Sequence, residues 1–204
     1  MTSSYPPGSV RMLIESDHVT PTTRDALQAR LRTPEVTQPR FFDAAAFETL
    51  SAVCDRLIPQ PERPRPIDLA GTLDTRLADG TGDGWRYAHM PPDADAHRLG
   101  LAGIDQAANG MFGRPFARLG EAQADDVLRA VQHGAAAGAV WTALDPRRYF
   151  EELLAQATDI YYAHPLGSEE IGYAGMADAH GWHRIGLDEQ EAHEPVATVL
   201  EAVA

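Results

Sequence analysis

Residues 145–165, DPRRYFEELLAQATDIYYAHP, spell out one helix with both of its ends marked. Asp145 is a good N-cap, and Pro146 suits the first helical position, where the missing N–H breaks no bond. Phe150, Leu153, Leu154, Ala157, Ile160 and Tyr161 recur at helical spacing and make one apolar face. The pattern stops at His164–Pro165, because the residue before a proline is pushed out of helical geometry. Nowhere do five or more residues alternate apolar with polar in the manner of a strand, and there is no internal repeat. The sequence therefore predicts an all-α fold.

The same signals recur upstream. In FFDAAAFETLSAVCDRLIPQP (41–61), Asp43 is placed to cap a helix, Phe47, Leu50, Val53, Cys54, Leu57 and Ile58 share one side, and Pro59 ends it. A helix over 67–79 follows from Leu69, Leu73 and Leu77, with a glycine-rich run from Gly80 to Gly84 behind it. Pro91-Pro92-Asp93 opens a longer helix through Leu101, Ile104, Ala108 and Met111 to Gly113. The turn from Pro115 to Gly120 tucks Phe116 and Leu119 into the core, and a helix from about Glu121 carries Val127, Leu128 and Val131. At the amino end, Thr20 and Pro21 start a helix to about Leu31, and Pro34 and Pro39 impose an extended linker. Residues 1–19, rich in Ser, Pro and Gly, read as an arm that is disordered or laid on a partner. The predicted organisation is an irregular helical bundle with extended arms. It has an N-terminal arm with one short helix over 1–40, a helical domain over 41–186 and a tail over 187–204.

The chain has 204 residues and a formal net charge of −13. Such an acidic surface repels phosphate backbones and anionic lipid, so neither nucleic acid nor a membrane surface is an expected partner. No stretch approaches the roughly 18 apolar residues needed to span a bilayer. Cys54 is the single cysteine, which excludes an intramolecular disulfide, a thiolate metal cluster and a Cys-x-x-Cys-His haem attachment. The first residues show neither a signal peptide nor a twin arginine, so a cytoplasmic location is expected, with periplasmic co-export on a partner as the alternative.

No nucleophile elbow, phosphate-binding glycine loop or dinucleotide fingerprint is present, so no catalytic residue and no cofactor site are expected in this chain. Glu151-Glu152 and Glu169-Glu170 read as solvated faces. His164, His180 and His183 could hold zinc or iron if their loop folded back, with Glu170 as base, and a free-standing metalloenzyme is the alternative this raises. The blander reading has these rings decorating a glycine-rich loop.

The tract 161–182, YYAHPLGSEEIGYAGMADAHGW, sets Tyr161, Tyr162, Tyr173 and Trp182 on a backbone articulated by glycines 167, 172, 175 and 181. Aromatic side chains bury much area for few rotatable bonds, which suits a protein interface. The alternative is that the tyrosines close the chain's own core.

This tract resembles the carboxy-terminal signature of the gluconate 2-dehydrogenase subunit 3 family, through YYAHP, EIGYAG and the pair Gly181-Trp182. Residues 41–61 are similar to the family's opening helix, with Asp55, Arg56, Ile58 and Pro59 at its Asp-Arg-hydrophobic-Ile-Pro ending. FGRPFARLGEAQADDVL (112–128) resembles its middle motif, and the likeness as a whole spans roughly 41–186. The resemblance implies a non-catalytic small subunit that binds and stabilises, matures or escorts a large FAD-binding oxidoreductase of the glucose–methanol–choline type acting on a sugar or sugar acid. A cytochrome subunit often accompanies such an enzyme, and a transient flavoprotein chaperone would share the same partner. FAD would belong to the partner. Carried over by position, Tyr162, His164, Pro165, Glu170, Ile171, Gly172 and Gly175 become interface candidates, joined by Tyr161, Tyr173 and Trp182 from the aromatic reading. The chain departs from the family in lacking a twin-arginine start and in having Gly175-Met176 where the family has Gly-Pro.

Overall fold

Asp43 accepts a hydrogen bond from the Ala46 amide at 2.8 Å, and the helix it caps runs from Ala44 to Leu57, as its sequence predicts. The structure, a computed structural model, describes residues 5–61, 63, 66–82, 90–175 and 181–196. They form eight α-helices: α1 (Ser9–Ile14), α2 (Pro21–Arg32), α3 (Ala44–Leu57), α4 (Leu69–Asp79), α5 (Asp93–Phe112), α6 (Glu121–Gln132), α7 (Pro146–Ala163) and α8 (Pro165–Glu170). Short 3-10 turns lie at Phe116–Arg118 and Ala139–Thr142, and there is no strand among the described residues. The fold is all-α. The chain divides into two compact units, Glu35–Ile160 and Met1–Pro34 with Tyr161–Ala204.

The larger unit is an irregular helical bundle. Helix α3 packs against α4, α5, α6 and the Phe116–Arg118 turn. Its core is built from Leu50 and Val53 of α3, Leu73 of α4, Leu101 and Ile104 of α5, and Val127 and Val131 of α6. Phe116 is buried as expected, whereas Leu119 is only half-buried. Two ionic devices supplement this packing. Arg56, at the end of α3, grips Asp125 of α6 with two parallel bonds of 2.9 and 3.0 Å and also reaches Glu121 at 3.2 Å. Asp74 of α4, fully buried, accepts the amides of Arg40, Phe41 and Phe42 at 2.7–3.0 Å. Asp68 caps α4 through Gly71 and accepts the Val36 amide at 2.7 Å. Four amides of the proline-broken linker, those of Val36, Arg40, Phe41 and Phe42, thus find acceptors on Asp74 of α4 and on its N-cap Asp68, as a segment with no ladder of its own requires.

The smaller unit corrects the reading of the amino-terminal arm. Residues 5–34 hold two helices, not one, and α1 buries Val10, Leu13 and Ile14. The spacing of those three residues is the i, i+3, i+4 of a helical face, hidden in the sequence by its Ser, Pro and Gly flanks. Helix α1 packs on α8, and α2 touches both. Arg24 of α2 donates to the carbonyls of Ile14, Ser16 and Val19, closing the turn between the two helices. Beyond the stop at His164, Pro165 opens a second, short helix, α8.

Candidate functional site

Tyr161 and Tyr162 are neighbours on the last turn of α7, so helical geometry sends their side chains about 100° apart. Tyr161 is 4% exposed and Tyr162 40%. The buried Tyr161 hydroxyl donates to the Glu170 carboxylate, and the two rings meet edge to face at 5.0 Å. At the α7–α8 corner, His164 caps α8: its Nδ1 accepts from the Leu166 amide at 3.2 Å. That assignment leaves Nε2 protonated and donating to the Arg30 carbonyl at 3.1 Å. Arg30 returns a bond to the Ala163 carbonyl at 2.6 Å. Pro165 is buried at the first position of α8, where a proline fits without loss.

Two glycines are fixed by contact. A Cβ on Gly167 would lie 2.1 Å from the Tyr161 carbonyl oxygen, and one on Gly172, which has φ +67°, would lie 2.3 Å from the Tyr5 ring. Neither position accepts a side chain without moving the backbone or a ring.

The expected interface residues therefore divide. Tyr161 and Pro165 are buried, and His164, Glu170 and Gly172 face other groups of their own unit. Gly175 lies under the Tyr173 ring. Tyr162, Ile171, Tyr173 and Trp182 present large apolar surface to solvent. Met12 of α1 is exposed as well, on a helix that the flanking Ser, Pro and Gly conceal in the sequence.

Glu169-Glu170 is not a solvated pair. Glu169 is buried and accepts from the Gly8 amide at 2.7 Å and from Arg11 Nη2 at 2.8 Å, so it serves as a remote cap for α1. Burial acts to raise its pKa, but the bonds from Arg11 and Gly8 outweigh it and hold the carboxyl below its usual value. Glu152 is likewise buried, accepting from Gln156, while Glu151 pairs with Arg148 on the surface.

The histidine cluster is not assembled by the described residues. His164 has both ring nitrogens engaged, His183 lies in a separate turn with its amide on Glu191, and His180 falls outside the described residues. Among the described residues no three His, Cys, Asp or Glu side chains are placed to hold a metal ion. Cys54 is buried, and that burial, with Asp55 and Asp68 nearby, pushes its thiol up to about 12 and keeps it neutral.

Residues 44–186 match the family described as Gluconate 2-dehydrogenase subunit 3. The chain belongs to the gluconate 2-dehydrogenase subunit 3 family. No curated protein and no solved structure matches it. Membership of the gluconate 2-dehydrogenase subunit 3 family makes the chain a subunit of a dehydrogenase assembly. The matched stretch takes in α3 to α8, so the helices that cover α8 from the amino end, α1 and α2, lie before it. Within it, Arg56 of the opening motif and Asp125 of the middle motif are bonded to each other, which gives both motifs a role in holding α3 to α6. Tyr162, Ile171, Tyr173, Trp182 and Ile185 of the smaller unit lie within the family-matched stretch and are exposed. Among the described residues no helix is long and apolar enough to cross a membrane.

Proposed function

We propose that this chain is the non-catalytic small subunit of an FAD-dependent sugar or sugar-acid dehydrogenase, and that it binds and stabilises a large subunit of the glucose–methanol–choline type. One observation carries the reading beyond the family: Tyr162, Ile171, Tyr173 and Trp182, close along the chain in the carboxy-terminal part of the family-matched stretch, are each exposed. Apolar groups set singly on a surface need no explanation, but a concentration rich in Tyr and Trp is the composition of an interface. The rest of the tract keeps that surface in shape. His164, Glu169 and Glu170 spend their polar atoms on the subunit's own backbone and side chains, so mutating them would act through the fold.

In this role the chain supplies no reacting group. FAD and the sugar belong to the large subunit, and the contribution here is to cover apolar surface on that partner and so to favour its folded, flavin-loaded form by mass action. A flavin-insertion chaperone that later departs would use the same surface. Co-expression of a tagged chain with the large subunit encoded nearest to it tests the reading. A yellow eluate with flavin absorbance, and a large subunit insoluble or inactive when made alone, is the expected result. A colourless eluate holding this chain by itself overturns it. Gel filtration of the mature enzyme separates a permanent subunit, which co-elutes, from a departing chaperone, which does not.

A further inference from the structure

Ile185 is 85% exposed and Leu187 97%, yet the loop that carries them is braced on both sides. Glu191 accepts the amides of His183 and Arg184 at 2.5 and 2.7 Å, and Arg184 in turn donates to the Gln190 carbonyl at 3.2 Å. Glu189 accepts the Gly186 amide at 3.1 Å, and Glu194 accepts the Glu191 amide at 2.5 Å. The amide bonds from Arg184 and His183 hold the Glu191 carboxyl below its usual value and so keep the clasp ionised. Asp188 turns the chain through the left-handed region at φ 58°. The His193 ring stacks on His18 at 4.5 Å and lies 6.0 Å from Trp182, which fastens the loop's two ends.

We propose that residues 181–196 form a docking loop whose Ile185 and Leu187 seat in an apolar hollow, rimmed by basic side chains, on the dehydrogenase large subunit. This rests on the small-subunit reading above and names the contact that selects the partner. A braced loop gives up little conformational freedom when it seats, whereas a slack tail showing the same two residues would pay that entropy in full. The charge of the rim follows from the loop itself. Asp188, Glu189, Glu191 and Glu194 stand against the single Arg184, in a chain of net charge −13. An acidic collar around two aliphatic side chains is complementary to an apolar hollow with Arg or Lys at its edge, and it repels an acidic one. The family match ends at residue 186, so Leu187 and the four carboxylates lie beyond what the family shares. They suit a contact that distinguishes one large subunit from another.

The test uses the full chain and the same large subunit, with affinity measured at two salt concentrations. Four proteins are compared: wild type, Ile185→Ser/Leu187→Ser, Asp188→Lys/Glu189→Lys, and Met111→Ser as an exposed apolar control from the larger unit. The Ser pair is expected to weaken binding at least tenfold, or about 1.4 kcal/mol. The Lys pair is expected to weaken it and flatten its salt dependence, and the control should be unchanged. Circular dichroism and the thermal midpoint of the Ser pair should match wild type, because neither aliphatic side chain is packed. Wild-type affinity in both variants overturns the docking loop and leaves the small-subunit reading standing. No binding by wild type overturns both. If sedimentation shows wild type self-associating and the Ser pair monomeric, the loop joins copies of this chain, and the proposal is likewise overturned.

Discussion

Arg11 sets its guanidinium against the carboxylate of Glu169, 158 residues further along the chain, with Nη2–Oε1 at 2.8 Å and Nε–Oε2 at 3.3 Å. The same carboxylate takes the Gly8 amide at 2.7 Å, so one buried charge fills the positive end of α1 and pairs with a side chain of that helix. Helix α1 has six residues and no side-chain cap of its own. A helix that short does not hold alone in water, so it depends on its packing and on this contact.

Glu169→Gln keeps an acceptor but loses the charge, and Glu169→Ala loses both. The expected order of damage is Ala beyond Gln, with about 2 kcal/mol lost locally for the Ala variant. Hydrogen exchange over residues 9–14 and trypsin cleavage after Arg11 report it, and unchanged protection in the Ala variant would count against the contact. The pH dependence has a defined sign. Because the folded carboxyl is held below its ordinary value of 4.5, its contribution is complete above that value and disappears as pH falls through the lowered one.

His97 gives acid sensitivity in a higher window. It is fully buried on α5, edge-on to Tyr149 at 5.8 Å, and burial drives its imidazole from 6.5 down to about 4. Gln156, which falls short of hydrogen-bond geometry, offsets this only partly. The unfolded chain therefore binds a proton that the folded chain refuses. Stability is complete above pH 6.5 and falls by about 1.4 kcal/mol per pH unit toward pH 4, about 3 kcal/mol in all. Unfolding free energies from urea titrations at pH 7.5 and pH 5.0 should differ by about 2 kcal/mol in wild type and by much less in His97→Phe. Equal losses in the two proteins would remove His97 as the cause.

Two other buried polar groups should respond in opposite directions. Asp74 satisfies three linker amides, so Asp74→Ala leaves all three without their acceptor and should cost about 3 kcal/mol or more. The Tyr149 hydroxyl has no hydrogen-bond partner among the described residues. Tyr149→Phe should then match or exceed wild-type stability, since it removes a polar atom whose burial is uncompensated. Thermal denaturation of both variants decides the matter, and a Tyr149→Phe loss above 1 kcal/mol would mean the hydroxyl is bonded.

Helix positions were legible wherever a cap and a stop stood beside an apolar face. Asp43 and Pro59 bracket α3, and Gly80 and Gly113 end α4 and α5 in left-handed geometry. Helix α1 was not legible, because six residues give too few repeats to stand out from Ser, Pro and Gly neighbours. The Arg11–Glu169 and Asp74–linker contacts were hidden for a different reason. Each joins segments that no local spacing relates, and a carboxylate in a helix looks the same in sequence whether it faces solvent or caps a distant backbone. The aromatic tract was recognised, but the division between Tyr161 and Tyr162 depends on which way α7 turns its last residues.

That division supplies the test that separates fold from interface. Tyr161 is buried and bonded to Glu170, so Tyr161→Phe should lower the thermal midpoint by a few degrees, corresponding to about 1 kcal/mol. Tyr162 and Tyr173 are exposed, so Tyr162→Ser/Tyr173→Ser should leave the isolated chain's midpoint within a degree or two. In the co-expression pull-down the pattern should reverse. The Ser pair should retain at least tenfold less flavoprotein, because aromatic anchors dominate interface energy, while Tyr161→Phe should retain it near the wild-type level. Were the Ser pair to hold the large subunit as well as wild type does, the exposed tyrosines would not be its binding surface.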